Sequence, residues 1–399
     1  MMKVKINNTR VREIFMADKW YTTQHEIDIS LGEALRLARM PQDIEFFNNN
    51  EPYDPKWFKE NKAFAFMADV DNVSGWGNVG INLIKYSKDY NISIIGRAIN
   101  VNEPEITEAT NRPIEASMGV VIHEQPKEQW LHSQFERKIA IVPFETTVIP
   151  HSWIARINSC KALIVPCKQN IEAFSNSGVT VPIELVHWGV DKEKYPYLTR
   201  TQDRPFTFGI MGALSIRKGI DVLIKAFTMA FPSEQNVRLI CKTSNNNFVW
   251  ATKDTRIKID MTAVPHQELL HNFFKRIDCF VFPTRGEGWG LPITEAMSTG
   301  VPAIATNWSG PVEFLDPKDS YLLDYSMTPA VDFSNNVYKE NCGEWAEPNV
   351  KQLAQILRHC YENRDEVREK GRLASERIHR DFTWERTANM FRNSLEKHL

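Results

Sequence analysis

The stretch RGEGWGLPITE, residues 285–295, decides the fold. It follows the short apolar run Cys279–Phe282, and a helical pattern continues beyond it through residues 296–297. Glycines at positions 286, 288 and 290 allow unusual backbone dihedrals and let a ligand approach the chain closely. A strand, a glycine-rich turn and a helix in this order are typical of an α/β unit with a ligand site at the strand's carboxyl end.

The helix that this turn opens is predicted to carry an anion site. Backbone N–H groups in the first turn of a helix have no partner within it, so they suit a diphosphate. Two carboxylates eight positions apart, Glu287 and Glu295, are predicted to hold hydroxyl groups on either side of the diphosphate. The competing interpretation is a glycine-rich turn with solvated carboxylates. The donor-binding residues predicted on the turn itself are Gly290, Leu291, Pro292 and Ile293.

A second segment suits the same ligand. The apolar run Phe206–Met211 ends at Gly212, and a loop with the adjacent cations Arg217 and Lys218 leads into a helical pattern from Asp221. Arginine presents a planar fork of donors and lysine a point charge, so the pair is suited to neutralise a diphosphate. Alone, an Arg-Lys-Gly turn is commonly a surface turn. Beside the glycine-rich stretch, it predicts one shared phosphate site.

The same α/β alternation occurs twice along the chain. Short apolar runs alternate with amphipathic stretches from residue 63 and again from residue 206, and such runs suit parallel strands covered on both faces. A charged, turn-rich stretch over residues 191–205 separates the two units. Two consecutive units of this kind predict two doubly wound domains with a crevice at the carboxyl ends of their strands.

These patterns predict the domain bounds. The predicted parts are an N-terminal extension (1–60), two Rossmann-like domains (61–200 and 201–380) and a final helix (381–399) that packs back on the first domain. Within the extension, residues 3–6 and 11–15 are predicted to form a strand pair, and the apolar pattern around residues 31–37 predicts a helix.

The first α/β unit has a glycine-rich turn of its own. Gly75, Trp76 and Gly77 stand between an apolar run and a helical pattern, and their amides are predicted to close over the ligand from the opposite side. The spacing through Gly80 also fits the dinucleotide fingerprint of an NAD(P) oxidoreductase. That alternative is disfavoured because five residues separate the strand from the first glycine and no acidic residue ends the next strand.

These segments resemble the retaining GT-B glycosyltransferases of family 4, also described as glycosyl transferases group 1. The resemblance covers about residue 63 to the C-terminus and is densest over residues 206–316. It implies the GT-B fold, with two Rossmann-like domains around a cleft and a nucleotide diphosphate-sugar as donor. It also implies an acceptor that is bound by the N-terminal domain, and neither a metal ion nor a cofactor.

The resemblance also implies roles for single residues. Glu287 would contact the hydroxyls of the donor sugar and Glu295 the ribose, while Lys218 with Arg217 would bind the diphosphate. His123, which follows an apolar run, matches a histidine that lines the sugar pocket in many relatives. The predicted catalytic residues are therefore Glu287, Lys218, Arg217 and His123. Ala213 stands where many relatives carry an arginine, and Arg217 is the residue expected to compensate.

Composition disfavours some classes of function. The 399 residues carry a net charge of −2, which gives no global footprint for nucleic acid. No stretch has the length or apolar character of a membrane span or a signal peptide, and the six cysteines read as buried thiols, so a cytoplasmic location is expected. Residues 69–71 resemble an Asp-x-Asp metal motif, but without a His or Cys cluster a metal-free enzyme is favoured.

Three alternatives share the predicted architecture. A sugar-nucleotide epimerase would need acid and base residues that the motifs do not supply. A disaccharide phosphorylase would use inorganic phosphate in place of the nucleotide tail, and a non-catalytic module would bind a nucleotide-sugar without transferring it. The sequence does not identify the acceptor, the sugar, the base or an oligomeric state.

Overall fold

The computed structural model contains two six-stranded sheets, and it describes the chain in segments. The described residues are 2–6, 13–16, 19–22, 26–29, 44–47, 62–71, 74–96, 98–99, 101–113, 119–123, 125–127, 131, 137–200, 203–243, 253–262, 268–331 and 341–399. Among the helices of this part of the chain, none is both long and apolar enough to cross a membrane.

Short strands come first along the chain: β1 (Met2–Ile6), β2 (Glu13–Met16), β3 (Lys19–Thr22), β4 (Glu26–Ile29) and β5 (Ile44–Phe47). Strand β1 pairs antiparallel with both β4 and β5, and β2 pairs with β3. The predicted pairing of residues 3–6 with residues 11–15 is therefore wrong. Strand β2 pairs instead with the next strand along the chain, because closing a shorter loop costs less entropy. The helix predicted over residues 31–37 lies outside the described residues.

The N-terminal sheet follows. Its region contains, in chain order, β6 (Ala63–Met67), β7 (Val70–Asp71), α1 (Gly75–Lys85), β8 (Asn91–Ile94), β9 (Ala98–Ile99), α2 (Pro104–Asn111), β10 (Gly119–His123), β11 (Lys138–Ile141), α3 (His151–Asn158), β12 (Ala162–Val165), α4 (Lys168–Asn176) and β13 (Ile183–Leu185). The sheet order is β13-β12-β11-β10-β6-β8, and all neighbours pair parallel. The sequence of residues 185–187 also favours a strand, and in the structure that strand lies at residues 183–185.

The C-terminal sheet has the same character. Its region contains β14 (Phe206–Met211), α5 (Ile220–Ala230), β15 (Val237–Lys242), β16 (Ile257–Asp260), α6 (Leu269–Asn272), β17 (Cys279–Phe282), α7 (Leu291–Ser298), β18 (Ala303–Thr306), β19 (Ser320–Leu323), β20 (Tyr325–Pro329), β21 (Glu344–Pro348), α8 (Val350–Glu362), α9 (Arg364–Asp381) and α10 (Trp384–His398). The sheet order is β16-β15-β14-β17-β18-β19, again parallel. Strands β20 and β21 form a separate antiparallel hairpin.

Buried apolar strands explain both sheets. Every residue of β14, β17 and β18 is buried, as expected for parallel strands that helices cover on both faces. The strands predicted at residues 206–211 and 279–282 are confirmed with the same bounds. The predicted doubly wound α/β fold is confirmed for both units.

The strand order marks where ligands bind. In each sheet the order reverses next to the first strand, between β6 and β10 in the N-terminal sheet and between β14 and β17 in the C-terminal sheet. Ligands of doubly wound sheets bind outside the carboxyl ends of the strands at such a switch point. Each glycine-rich turn lies at one of these points, after β6 and after β17.

The last helix, α10, returns to the N-terminal sheet. The ring of Phe391 lies 6.0 Å from that of Phe64 in β6, and the hydroxyl of Tyr90 donates to Glu396 at 2.9 Å. Gly189 lies against the backbone of Thr383, where a Cβ would meet the Thr383 carbonyl carbon at 2.4 Å. The C-terminal segment thus contacts both the N-terminal sheet and the connection between the two sheets. The domain bounds stay a prediction.

Candidate active site

The side chain of Glu287 lies at the centre of a buried cluster of charges. It is 6% exposed, and Lys218 Nζ donates to its two oxygens at 2.7 and 2.8 Å. Arg217 Nη1 donates to Oε1 at 2.8 Å, and the hydroxyl of Thr284 donates to the same oxygen at 2.9 Å. The structure therefore brings three of the predicted catalytic residues together at the switch point of the C-terminal sheet.

The backbone of Glu287 is fixed as firmly as its side chain. Its amide donates to the hydroxyl of Ser309 at 3.0 Å, and its carbonyl accepts from the amide of Gly310 at 2.9 Å. Ser309 holds a positive φ of 60°, which is uncommon for a residue with a side chain and is frequent at functional sites. The loop after β18 thus supports the turn after β17.

The basic loop is held against this turn by glycine geometry. Gly219 has a φ of +70°, and a Cβ there would lie 1.8 Å from the carbonyl oxygen of Pro283. Gly212 has a φ of +143° and ends β14 beside Lys218, where a Cβ would lie 4.0 Å from Lys218 Cε. Both positions place the Lys218 side chain over the start of the glycine-rich turn.

Electrostatics keep Glu287 ionised. Burial by itself raises the pKa of the Glu287 carboxyl, but Lys218 and Arg217 outweigh this effect and hold the pKa below its ordinary value. The sequence suggests a carboxylate that reaches outward from one end of a diphosphate. In the structure Glu287 instead lies between the two cations, because burying three charges without compensation would be too costly.

The start of helix α7 offers fewer amides than predicted. Gly290, with a φ of +109°, caps the helix, and its carbonyl accepts from the amides of Ile293 and Thr294 at 2.9 and 3.4 Å. Pro292 has no N–H group. Of the four predicted positions, Gly290 and Leu291 are the better candidate donors to an anion.

Glu295 lies one turn further into α7 and is only 2% exposed. Its carboxylate bonds the hydroxyl of Tyr195, in the segment that joins the two sheets. Burial first, and then the Glu295 charge, raise the pKa of Tyr195 well above its ordinary value. A ribose contact by Glu295 stays a prediction.

The glycine-rich turn of the N-terminal half lies against the start of α7 in the C-terminal half. A Cβ at Gly75 would lie 3.8 Å from Leu291 Cδ1, and the ring of Trp76 lies 6.3 Å from that of Trp188. Gly77 is packed against Asp71 and its amide donates to the Ser74 hydroxyl at 2.9 Å. Gly75 and Leu291, both predicted to bind the donor, therefore face each other across the cleft.

His123 and the Asp-x-Asp motif of residues 69–71 both lie in the N-terminal half. His123 ends β10 at the carboxyl edge of the sheet, but its side chain lies outside the described residues. In the Asp-x-Asp motif, the carboxylate of Asp71 accepts from the Ser74 amide at 2.5 Å and from its hydroxyl at 2.7 Å, so it caps the approach to α1. Within the described ranges, no group of three or more His, Cys, Asp or Glu side chains is arranged to hold a metal ion.

The two halves touch at the glycine-rich turn. Arg217 Nη2 lies 3.5 Å from Glu145 Oε1, which follows β11 in the N-terminal sheet. A Cβ at Gly286 would lie 2.0 Å from the Glu145 carbonyl oxygen, and one at Gly288 would lie 2.3 Å from Pro143 Cβ. Only glycine permits this close approach of the two edges.

Sequence reasoning missed one residue of the turn itself. Arg285 is buried and bonds Asp221 at the start of α5 and Glu347 in β21. The sequence feature that could have identified Arg285 is its position, as a charged residue between a fully buried strand and a glycine-rich turn. Its partners lie 64 and 62 positions away, so no local pattern indicates them.

A cavity of about 290 Å³ opens at the same edge, beyond β15 and β16. Its lining includes Lys242, Asp260 and Arg276. Lys242 Nζ lies 3.4 Å from Asp260 Oδ1, and the amide of Gly212 donates to the Lys242 carbonyl at 3.1 Å. The cavity is therefore a neighbour of the basic loop along one continuous sheet edge.

Comparison with known proteins identifies the fold. The chain superposes on sucrose-phosphate synthase from Thermosynechococcus elongatus with a TM-score of 0.63 and 15% identity, covering 84% of this chain and 98% of that one. It superposes on Anabaena HepE in complex with UDP and glucose with a TM-score of 0.59 and 14% identity, covering 84% and 99%. The chain has the GT-B fold.

Sequence comparison points to the same class within the C-terminal half. Residues 191–327, about a third of the chain, match the family "Glycosyl transferases group 1". The Staphylococcus aureus capsular polysaccharide biosynthesis glycosyltransferase CapM is 28% identical over 130 residues, 31% of this chain and 32% of that protein. The Escherichia coli O-antigen biosynthesis glycosyltransferase WclY is 26% identical over 102 residues, 25% of this chain and 28% of that protein. The matches thus span about a third of each curated relative.

Proposed function

We propose that this protein is a retaining glycosyltransferase that moves a sugar from a nucleotide diphosphate-sugar to an acceptor hydroxyl. The observation that carries the proposal is the buried cluster of Arg217, Lys218 and Glu287 beside the start of α7. Cations and helix-start amides at a switch point suit an anionic leaving group, and a carboxylate among them suits sugar hydroxyls. The match of residues 191–327 to glycosyl transferases group 1 supports the same class.

In this proposal the diphosphate displaces Glu287 from its two cations. A diphosphate carries more negative charge than one carboxylate, so it competes for Lys218 and Arg217. The released Glu287 carboxylate is then free to accept hydrogen bonds from the donor sugar. The nucleoside lies in the cavity lined by Lys242 and Asp260, which is next along the sheet edge.

The chemistry follows from this arrangement. The bond between the anomeric carbon and the diphosphate oxygen breaks, and its electron pair stays on the leaving group. The acceptor oxygen bonds the anomeric carbon from the same face, and its proton passes to the leaving phosphate. Lys218, Arg217 and the Leu291 amide stabilise the charge that develops, so we propose that the reaction needs no metal ion.

Two further parts of the proposal concern acceptor and location. The two curated relatives are named for the biosynthesis of capsular polysaccharide and of O-antigen, so a saccharide acceptor is the class to test first. All six cysteines are buried free thiols, which supports a reducing, cytoplasmic environment.

The decisive experiment is a donor panel. The protein is incubated with UDP-, GDP- and ADP-sugars, with and without EDTA, and thermal stabilisation and slow hydrolysis are measured. We expect one nucleotide class to stabilise the protein and to be hydrolysed equally with EDTA, with the released sugar initially in the donor's anomeric configuration. Turnover that requires inorganic phosphate would indicate a phosphorylase, an altered sugar an epimerase, and binding without hydrolysis or transfer a binding module.

A further inference from the structure

Arg285 uses every hydrogen-bond donor of its guanidinium. Nε and Nη2 donate to Glu347 at 2.5 and 2.8 Å, and Nη1 and Nη2 donate to Asp221 at 2.9 and 2.8 Å. Nη1 also donates to the carbonyl oxygen of Ile216. An arginine has five N–H donors, so none remains for a ligand. Arg285 is 5% exposed, and it does not itself bind the donor.

The backbone of Arg285 joins the same segments. Its amide donates to the carbonyl oxygen of Arg217 at 2.6 Å, and its own carbonyl accepts from the amide of Ala346 in β21 at 2.9 Å. The preceding residue, Thr284, donates its hydroxyl within reach of both the Arg217 carbonyl and Glu287 Oε1, at 3.2 and 2.9 Å. One residue thus connects the basic loop, the start of α5, the hairpin and the glycine-rich turn.

We propose that Arg285 is a positioning residue of the donor site, and that it makes the β20–β21 hairpin part of that site through Glu347. Its fork holds the carbonyl of Ile216 and ties the basic loop to Asp221 and Glu347, and thereby aims the side chains of Arg217 and Lys218 at Glu287. The inference rests on the proposed function, since it concerns the geometry of the diphosphate-binding cations. Displacements of about 1 Å in such groups reduce turnover by roughly a hundredfold.

The test compares two arginine forks in the same half of the molecule. Arg204 forms a bidentate pair with Asp278, at 2.7 and 2.9 Å, at the opposite edge of the C-terminal sheet, and it also donates to the Arg276 carbonyl. In both Arg285→Lys and Arg204→Lys the charge is kept and the fork is lost. UDP-glucose, GDP-mannose and ADP-glucose are the probes, and kcat and KM for hydrolysis are measured per folded molecule alongside the thermal midpoint.

We expect both variants to lower the thermal midpoint, while only Arg285→Lys lowers kcat, by roughly 10- to 100-fold. KM for the donor should rise less than kcat falls, because the cations remain near the diphosphate but are aimed less well. Arg204→Lys should keep kcat within about twofold of the wild type. Equal kcat values for the two variants would show that Arg285 is merely structural and would overturn the inference.

A second variant decides the matter if Arg285→Lys does not fold. Glu347→Gln removes the charge and one of the two acceptor oxygens of a partly exposed partner on the hairpin side, and it should lower kcat by about 3- to 10-fold. An unchanged kcat in Glu347→Gln would overturn the role of the hairpin and of the fork. If the wild-type protein neither binds nor hydrolyses any donor, the proposed function fails. If it hydrolyses a donor and the variants match Arg204→Lys, only this inference fails.

Discussion

The two sheets have nearly the same topology, yet their carboxyl edges differ in chemistry. At the C-terminal edge Lys218 Nζ lies 2.7 Å from the buried carboxylate of Glu287, and the buried Arg285 bonds the same basic loop at the Ile216 carbonyl. At the N-terminal edge, Glu145 keeps a side chain that is 26% exposed, and the turn that holds Gly75 and Trp76 carries no charged side chain. Burying charges is costly, so their concentration at one edge supports the proposal that the diphosphate of the donor binds there.

The largest expected effect comes from removing the charge of Glu287 at the C-terminal edge. Glu287→Gln leaves Lys218 and Arg217 buried with less compensation, and it removes the carboxylate assigned to the donor sugar. Donor hydrolysis should fall by at least about 100-fold, and the free energy of unfolding should fall by about 3 kcal/mol. Steady-state kinetics and urea denaturation measure the two effects separately.

The control for Glu287→Gln is Asp278→Asn, which removes the carboxylate partner of Arg204 at the opposite end of the sheet. It should lower the free energy of unfolding but leave kcat per folded molecule nearly unchanged.

The pH dependence of stability tests the ion pairs of Glu287 in a second way. Because the folded pKa of Glu287 is lowered, its stabilisation is present above pH 4.5 and is lost as the pH falls through the folded pKa. If the free energy of unfolding differs between the wild type and Glu287→Gln by the same amount at pH 7 and at pH 3, the ion-pair assignment is wrong.

The next effect separates the two edges. A Cβ at Gly288 would collide with Pro143 across the cleft, so Gly288→Ala should hold the halves apart while leaving the C-terminal edge intact. We expect kcat to fall about tenfold, and the Kd for the bound nucleotide, measured by calorimetry, to change less than about threefold. The matched control is Gly209→Ala, which crowds Ile277 within the C-terminal half only. Equal losses of binding and turnover in Gly288→Ala would mean that the halves do not act separately.

A smaller effect is expected at the N-terminal edge. Glu145→Gln removes a partly exposed ion pair with Arg217, which is worth at most about 1 kcal/mol. The kcat/KM for the donor should therefore fall by no more than about threefold. A loss near a hundredfold, as expected for Glu287→Gln, would make Glu145 an equal partner and break the contrast between the edges.

The contrast also explains what the sequence could and could not predict. Strands such as β14 and β17 are predicted to the residue because buried parallel strands leave continuous apolar runs. The meeting of Lys218 with Glu287 also follows from the sequence, since both come after neighbouring strands at a switch point. The burial of Glu287 between its cations cannot be predicted from the sequence, because it depends on Thr284 and on loops from three different strands. The partners of Arg285 cannot be predicted either, since Asp221 and Glu347 have no fixed spacing from it.

The smallest effect concerns a contact that joins the two halves away from the charged cluster. The carboxylate of Glu313, from the C-terminal half, accepts from the amide of Lys168 at the start of α4 at 2.7 Å, and it lies 3.1 Å from His187 Nε2. Burial raises the pKa of Glu313, but the bonds to His187 and to the Lys168 amide outweigh it and lower that pKa. Glu313→Gln should cost about 1 kcal/mol at pH 7 in urea denaturation, with turnover nearly unchanged. Because the folded pKa is lowered, the cost should begin to shrink as the pH falls below about 4.5, where the carboxyl of the unfolded chain becomes protonated, and it should be lost as the pH falls through the folded pKa. A cost that persists undiminished at pH 3.5 would mean that shape rather than charge holds the halves together at this point.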